Sequence, residues 1–317
     1  MPQNNNSAVE ETQAGMTLAA FSRFLFQDLS WSKVRALIAG RFISINGETC
    51  CDPARRVQKG EMVMLAKKPA AKITDSHSVK IRFIDAHIVV VEKPVGMNSV
   101  RHPAERDWKL ARKKLSPTLD DTVSLLIQGK TRLRVVHRLD KETSGLLVFA
   151  RTVAAERGLG SQFHNHTVVR KYFALVPGRM GSRRIESLLV RDRGDGRRGS
   201  TSNPAEGKKA VTHIDFAEAF PRHTLLQCQL ETGKTHQIRI HLAELGHPVC
   251  GDKVYRTKKD GTVIPGVEDF PRLALHAREL GFQHPISGEF LHWTMEPPED
   301  FQNLLRQLRE SKPKHGN

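Results

Sequence analysis

Apolar positions are sparse at the start of the chain and then recur with changing period. Residues 1–15 are dominated by Asn, Gln, Ser and Glu, a composition that buries too little surface to order a chain, so they are expected to form a disordered tail. In Ser32–Gly40, Val34, Leu37 and Ile38 return at helical spacing while Lys33, Arg35 and Arg41 fall elsewhere. This predicts a short helix capped by Ser32 and ended by Gly40. Phe42-Ile-Ser-Ile-Asn-Gly47 alternates and ends in Asn-Gly, the signature of a strand closed by a tight turn. Val57–Leu65 reads as a strand pair around Lys59-Gly60. Residues 16–67 therefore form a compact segment, and Lys68–Ser78 reads as a linker.

From Val79 the pattern becomes mixed. Val79–Ile84 and His87–Glu92 are strand candidates, stopped by Pro94 and Gly96 in Lys93-Pro-Val-Gly96. Residues 101–116 are highly charged and read as a surface excursion. A helix over Thr118–Ile127 starts at Thr118 or Asp120. Leu133–Val136 and Leu146–Ala150 are short strand-like runs, and the nine mostly polar residues between them form a loop held by strands, a common place for chemistry. Further on, Gly233 breaks a strand and Thr235 can cap a helix running to Glu244. There Ile238, Leu242 and Leu245 should face the core, with Arg239 off that stripe on a face shared with His236. A domain is thus expected over 79–300, and 301–317 is read as a basic tail.

Charge narrows the function. The 317 residues carry 50 Lys and Arg against 34 Asp and Glu, a net +16, with a pI near 10. Such an excess attracts polyanions. No apolar run approaches the ~20 residues that span a bilayer, and Met1–Gly15 lacks the charged start and apolar centre of a signal peptide. A cytoplasmic location with no membrane partner is expected. Cys50, Cys51, Cys228 and Cys250 form no Cys-x-x-Cys pair, so neither a disulfide framework nor a zinc site is expected. His236 and His241 are five apart rather than the four of a paired zinc site, and no metal is expected.

Asp140 lies close in sequence to Arg138 and Lys141. A nearby arginine favours an ionised aspartate, which can act as a nucleophile toward a sugar carbon or as a base. A charge pair in a surface turn fits the same residues. Arg239 reads equally as a solvated arginine or as the partner of an acid or phosphate. The basic N-terminal segment is either a solvated α/β module or an RNA-binding unit whose helix faces phosphates.

Resemblance bears on these alternatives. Ser32-Lys-Val-Arg-Ala-Leu-Ile-Ala-Gly-Arg-Phe-Ile-Ser-Ile-Asn-Gly47, followed by Val57-Gln-Lys-Gly-Glu61, resembles the S-four-like RNA-binding domain. His137-Arg-Leu-Asp-Lys-Glu-Thr-Ser-Gly-Leu-Leu-Val148 is similar to the central motif of the RluA-type pseudouridine synthases. Lys93–Gly96, Arg170-Lys-Tyr-Phe-Ala174 and Leu230–Ala243 with Gly246–Asp252 resemble three further motifs of that family in the same order. Lesser matches are Gly207–Thr212 and Leu273–Ala277.

The resemblance implies an α+β fold: a mixed, largely antiparallel central sheet with flanking helices, plus a small α/β RNA-binding domain at the N-terminus. It implies cofactor-free isomerisation of uridine to pseudouridine, with the base flipped out of its stack. Asp140 would be the nucleophile, Tyr172 would stack on the uracil, and Arg239 would pair with Asp140. Arg138 would fill the space left by the base, and Lys33, Arg35, Arg41, Lys234 and His236 would contact RNA. Lys234 stands where the family usually has arginine, which keeps charge but loses bidentate geometry. The segment after Gly96, Met97–Pro103, is longer and more polar than the family form. The domain pairing implies action on large-subunit ribosomal RNA, and a monomer is expected. The competing readings are a synthase acting on transfer RNA, a non-catalytic RNA-binding or ribosome-assembly factor on the same scaffold, and a metal-dependent RNA hydrolase.

Overall fold

The structure, a computed structural model, describes residues 6–40, 42–50, 52–66, 79–102, 105, 116–128, 132–194, 196–257, 262–267 and 270–311. The linker assigned to 68–78, Arg41 and most of the 101–116 excursion lie outside the described residues. The chain divides into two compact units, the first containing residues 6–66 and the second residues 79–102 and 118–311.

The first unit is built on four antiparallel strands in the order β1-β4-β2-β3, with β1 at Asn6–Ala8, β2 at Ile43–Ile45, β3 at Glu48–Thr49 and β4 at Met62–Leu65. The Asn-Gly turn is present between β2 and β3, with Asn46 at φ 51° and Gly47 at φ 83°, the left-handed pair that this turn requires. Helix α1 spans Leu18–Leu25 and α2 spans Trp31–Ala39. Val9, Leu18, Phe21, Val34, Ile38, Ile43, Val57 and Val63 form the core.

Three expectations change here. Residues 6–15 belong to the ordered unit: β1 pairs with β4, and Val9 is buried. Main-chain pairing of a short edge strand needs little apolar content, so composition did not register it. The cap of α2 is Ser30, whose hydroxyl accepts from Lys33 N at 3.2 Å, and Ser32 lies inside the first turn. In Val57–Leu65 only β4 is a strand. Arg56 instead makes a single bridge to Thr17.

The second unit is an eleven-stranded sheet. Its strands are β5 (Lys80–Ile84), β6 (Ile88–Lys93), β7 (Arg134–Val135), β8 (Ser144–Ala150), β9 (Val169–Pro177), β10 (Arg183–Val190), β11 (Gly199–Thr201), β12 (Lys208–Ala219), β13 (His223–Leu230), β14 (Leu275–Gln283) and β15 (Phe290–Thr294). The order is β11-β10-β12-β13-β9-β14-β8-β6-β5, with β15 on β14 and β7 on β8. Every pairing is antiparallel except β8 with β14. Helices α3 (Leu119–Leu126), α4 (Val153–His164), α5 (Gln237–Glu244) and α6 (Glu299–Glu310) flank it. With the first unit's small sheet and two helices, this is the mixed, largely antiparallel α+β architecture anticipated above.

Strands β6 and β8 are buried on both faces. Val89, Val91, Leu147 and Phe149 enter one core, and Ile88, Val90, Leu146 and Val148 the other, so both strands read as continuous apolar runs. Residues 301–310, expected to belong to a basic tail, form most of α6. Phe301, Leu304 and Leu305 are buried, and Arg272 fixes the start of the helix through a bidentate pair with Asp300 (2.5 and 2.6 Å). The apolar residues recur at helical spacing, and the density of charge around them hid the stripe.

Candidate active site

The loop His137–Thr143 crosses from β7 to β8, and several groups fix its path. Gly145 in β8 has φ +126°, and a Cβ there would lie 2.2 Å from the Ala277 carbonyl oxygen. Only glycine allows this strand to pass so close to β14. Lys93, the last residue of β6, is fully buried, and its Nζ donates to the carbonyls of Pro94 (2.8 Å), Lys141 (3.0 Å) and Thr143 (2.7 Å). Burial pushes the Lys93 ammonium down to about 7, against the attraction of Glu142 and Asp140. Ser99 clamps the other side: Leu139 N donates to its hydroxyl at 3.0 Å, which donates back to Leu139 O at 2.8 Å. His137 stacks on Phe163 with ring centroids 4.6 Å apart and accepts from Val148 N at 3.1 Å. Burial, reinforced by Arg170, pushes its pKa down to about 3, so the ring is neutral and free to accept.

Asp140 leaves this loop to meet α5. Arg239 Nη1 donates to Asp140 Oδ2 at 3.2 Å. The other edge of the guanidinium is held by Asp252, with Nε to Oδ2 at 2.7 Å and Nη2 to Oδ1 at 3.0 Å. Asp252 Oδ1 also accepts from Val254 N (2.8 Å) and Tyr255 N (3.0 Å). Burial alone would raise the Asp252 carboxyl, but its hydrogen bonds to Arg239 and that residue's charge bring it below the usual range. Arg239 is thus a fixed cation with the Nε/Nη2 edge occupied by Asp252 and Nη1 turned to Asp140. Its guanidinium also lies over the Tyr255 ring, 5.1 Å from the centroid.

The local sequence explains how α5 presents these groups. Gln237 Oε1 accepts from Thr232 Oγ1 (2.7 Å) and Lys234 N (3.0 Å), and its Nε2 donates to Val211 O and Thr212 Oγ1, both at 2.9 Å. This buried amide ties the turn before α5 to β12. The helix begins at His236, with φ 59° and no side-chain cap, so Thr235 does not cap it. Residues Gln237 to Leu242 are all buried, whereas Leu245, expected in the core, is 37% exposed. A helix sunk on nearly every side has no single apolar stripe, and for that reason Arg239 looked peripheral from spacing alone.

Tyr172, in β9, is 7% exposed and packs in the core opposite Ala277 and Cys228. Burial pushes its hydroxyl up, Arg170 pulls it down, and the negative charge of Asp140 raises it further. His236 joins the same cluster: its Nδ1 lies 2.9 Å from Tyr255 Oη and its Nε2 3.8 Å from Asp140 Oδ1. Burial lowers its pKa, with Asp140 opposing. Arg138 is exposed beside Asp140, and Lys234 is half-buried just before His236. Lys33 and Arg35 are exposed on α2 in the first unit, Arg35 above the Trp31 ring at 6.0 Å.

The structure therefore brings Asp140, Arg239, His236 and Tyr172 into one neighbourhood, while Lys33 and Arg35 belong to the other unit. Sequence reasoning assigned no role to Lys93, Ser99, Gln237, Asp252 or Tyr255. Lys93, Gln237 and Asp252 lie in segments whose family likeness was noted, and that was the available signal. Among the described residues no group of three or more His, Cys, Asp or Glu is arranged to hold a metal, and no helix is long and apolar enough to cross a membrane.

Residues 87–244 match the family described as RNA pseudouridylate synthase. A protein of Zymomonas mobilis named ribosomal large subunit pseudouridine synthase D is 34% identical over 97% of this chain and 98% of its own length. A protein of the same name from Nitrosomonas europaea is 35% identical over 97% of this chain and 90% of its length. The fold is shared with human RNA pseudouridylate synthase domain containing 4, at a TM-score of 0.56 and 24% identity over 72% of this chain and 92% of that one. With near full-length likeness added to the arrangement around Asp140, this chain belongs to the RluA-type family of RNA pseudouridine synthases.

Proposed function

We propose that this protein converts uridine to pseudouridine in large-subunit ribosomal RNA, with Asp140 as the reacting carboxylate. The observation that carries the proposal is the chain Asp140–Arg239–Asp252, in which a buried arginine with one edge fixed turns its Nη1 to Asp140. The names and near full-length likeness of the bacterial relatives support the ribosomal substrate.

In the reaction the N1–C1′ glycosidic bond breaks, the freed uracil turns, and C5 bonds to C1′. The C5 proton leaves and N1 takes one up, so atoms and electrons balance without a cofactor. Attack of Asp140 on C1′ and removal of a ribose proton to give a glycal both begin from the same carboxylate, and Arg239 offsets charge in both. Tyr172 would stack on the flipped uracil. The base leaves its stack at a cost of a few kcal/mol, and Arg138, exposed and two residues from Asp140 in the chain, would occupy the space left behind. Lys33 and Arg35 on α2 supply sequence-independent phosphate contacts. An S-four-like unit ahead of the catalytic unit favours ribosomal over transfer RNA.

The test is to map pseudouridines in total RNA from cells with and without the gene. Loss at one or a few sites of large-subunit ribosomal RNA is expected. Loss confined to transfer RNA would replace the substrate assignment, and no loss in any RNA would leave the non-catalytic reading.

A further inference from the structure

In the second unit, a groove of about 400 Å³ is lined by Arg191, Arg198, Glu206, Lys208, Lys234 and Thr235 among others. Arg191 follows β10, Arg198 precedes β11, Lys208 opens β12, and Lys234 and Thr235 precede α5. Four cations thus converge with one carboxylate. None of the four is in an ion pair among the described residues. On the same strands Glu186 holds Arg184 at 2.5 Å and Lys209 at 2.8 Å. Uncompensated like charges repel in the free protein, and a concave surface carrying them focuses a field that favours an anion.

The location identifies that anion. Lys234 and Thr235 immediately precede His236, whose Nε2 is 3.8 Å from Asp140, and two residues span at most about 7 Å. The charge of Arg198 acts on both His236 and Tyr255. One wall of the groove thus adjoins, along the chain, the histidine that faces Asp140. We propose that the groove is a phosphate-binding subsite that holds the RNA backbone next to the nucleotide at Asp140, with Arg191, Arg198, Lys208 and Lys234 supplying charge and Thr235 a hydroxyl. Phosphate contacts carry no sequence information, but they fix register. This subsite would set which nucleotide along the strand reaches the carboxylate. The proposal rests on the reading of Asp140 as the reacting group.

The experiment measures affinity for a large-subunit ribosomal RNA transcript across a potassium chloride series. It compares wild type, the triple variant Arg191→Gln/Arg198→Gln/Lys208→Gln, and Arg191→Lys/Arg198→Lys. Each phosphate of a single strand that is no longer neutralised takes ~0.7 off the log–log slope. The glutamine variant is expected to drop by at least that much, and the lysine variant to keep the wild-type slope. Arg309→Gln, a cation removed from α6, should also keep it. Equal slopes in wild type and the glutamine variant would overturn the proposal, as would an equal drop in the lysine variant or, per charge removed, in Arg309→Gln. Pseudouridine formation by wild type on the same transcript separates the two claims. If none forms, the catalytic reading fails. If it forms and the slopes are equal, only the subsite fails.

Discussion

Lys93→Met removes a buried side chain that holds the Asp140 loop through three carbonyls. The substitution keeps length and apolar bulk but deletes three hydrogen bonds, to Pro94 O, Lys141 O and Thr143 O. Lys141 O keeps a donor in Gly96 N at 2.9 Å, whereas Thr143, which is buried, loses the Lys93 donor to its carbonyl. A buried acceptor left without a donor costs about 1–3 kcal/mol. Against this, the variant no longer buries an ammonium, so the two effects oppose each other in stability at neutral pH but not in loop position.

Their pH dependence separates them. The lysine releases its proton near 7 when folded and near 10.5 when unfolded. Between those values the unfolded state binds more protons, so stability rises with pH. The contribution is complete above about 10.5 and is lost as pH falls through 7. The stability of wild type relative to Lys93→Met should thus increase by about 1 kcal/mol from pH 7 to pH 8 and by about 1.4 kcal/mol per unit above that, and level off below pH 6. Urea denaturation at pH 6, 7, 8 and 9 measures the difference. Because a displacement of about 1 Å in a reacting group can cost about a hundredfold in rate, kcat for pseudouridine formation should fall at least tenfold. A wild-type–variant difference that stays constant from pH 6 to pH 9, with kcat unchanged, would show that Lys93 neither titrates near neutrality nor positions the loop.

Other substitutions probe neighbouring links. Gly145→Ala places a methyl against the Ala277 backbone at φ +126°, and by thermal melting should cost several kcal/mol, as strain and overpacking add. Asp252→Asn leaves Arg239 a buried cation with a single carboxylate partner, Asp140. Breaking such a pair costs about 3–5 kcal/mol, and denaturation with parallel single-turnover assays should show lower stability together with a lower rate at saturating RNA. Deleting residues 1–66 should weaken RNA binding and reduce its salt dependence by ~0.7 in slope for each single-strand phosphate released, and filter binding over a salt series would show it.

Local elements were legible where one periodicity dominated. The Ile88-Val-Val-Val run, the Asn46-Gly47 turn and the Val34–Ile38 face each had a single reading, and the structure contains all three. Elements escaped where the pattern was thin. Helix α4 buries only Ala155 and Leu159, and its Gly158 faces Pro285, where a Cβ would come within 2.8 Å. A glycine demanded by close packing thus weakened the helical signal. Helix α6 was masked by its charge, and β1 by its shortness. Of the site, Asp140, Tyr172 and Arg239 stood out through family likeness, not local chemistry, since a charged turn with an aspartate is ordinary. Lys93 was missed because lysine is seldom buried, and Asp252 because its role depends on a contact made through α5.

Everything in the proposed reaction turns on Asp140 performing the chemistry. Asp140→Asn preserves the shape of the side chain and removes its charge. Purified variant and wild type would be incubated with large-subunit ribosomal RNA lacking the modification. Pseudouridine would be quantified at each site and RNA affinity measured in parallel. No pseudouridine above background, with affinity close to wild type, is the expected outcome; formation at the wild-type rate would mean that another group reacts.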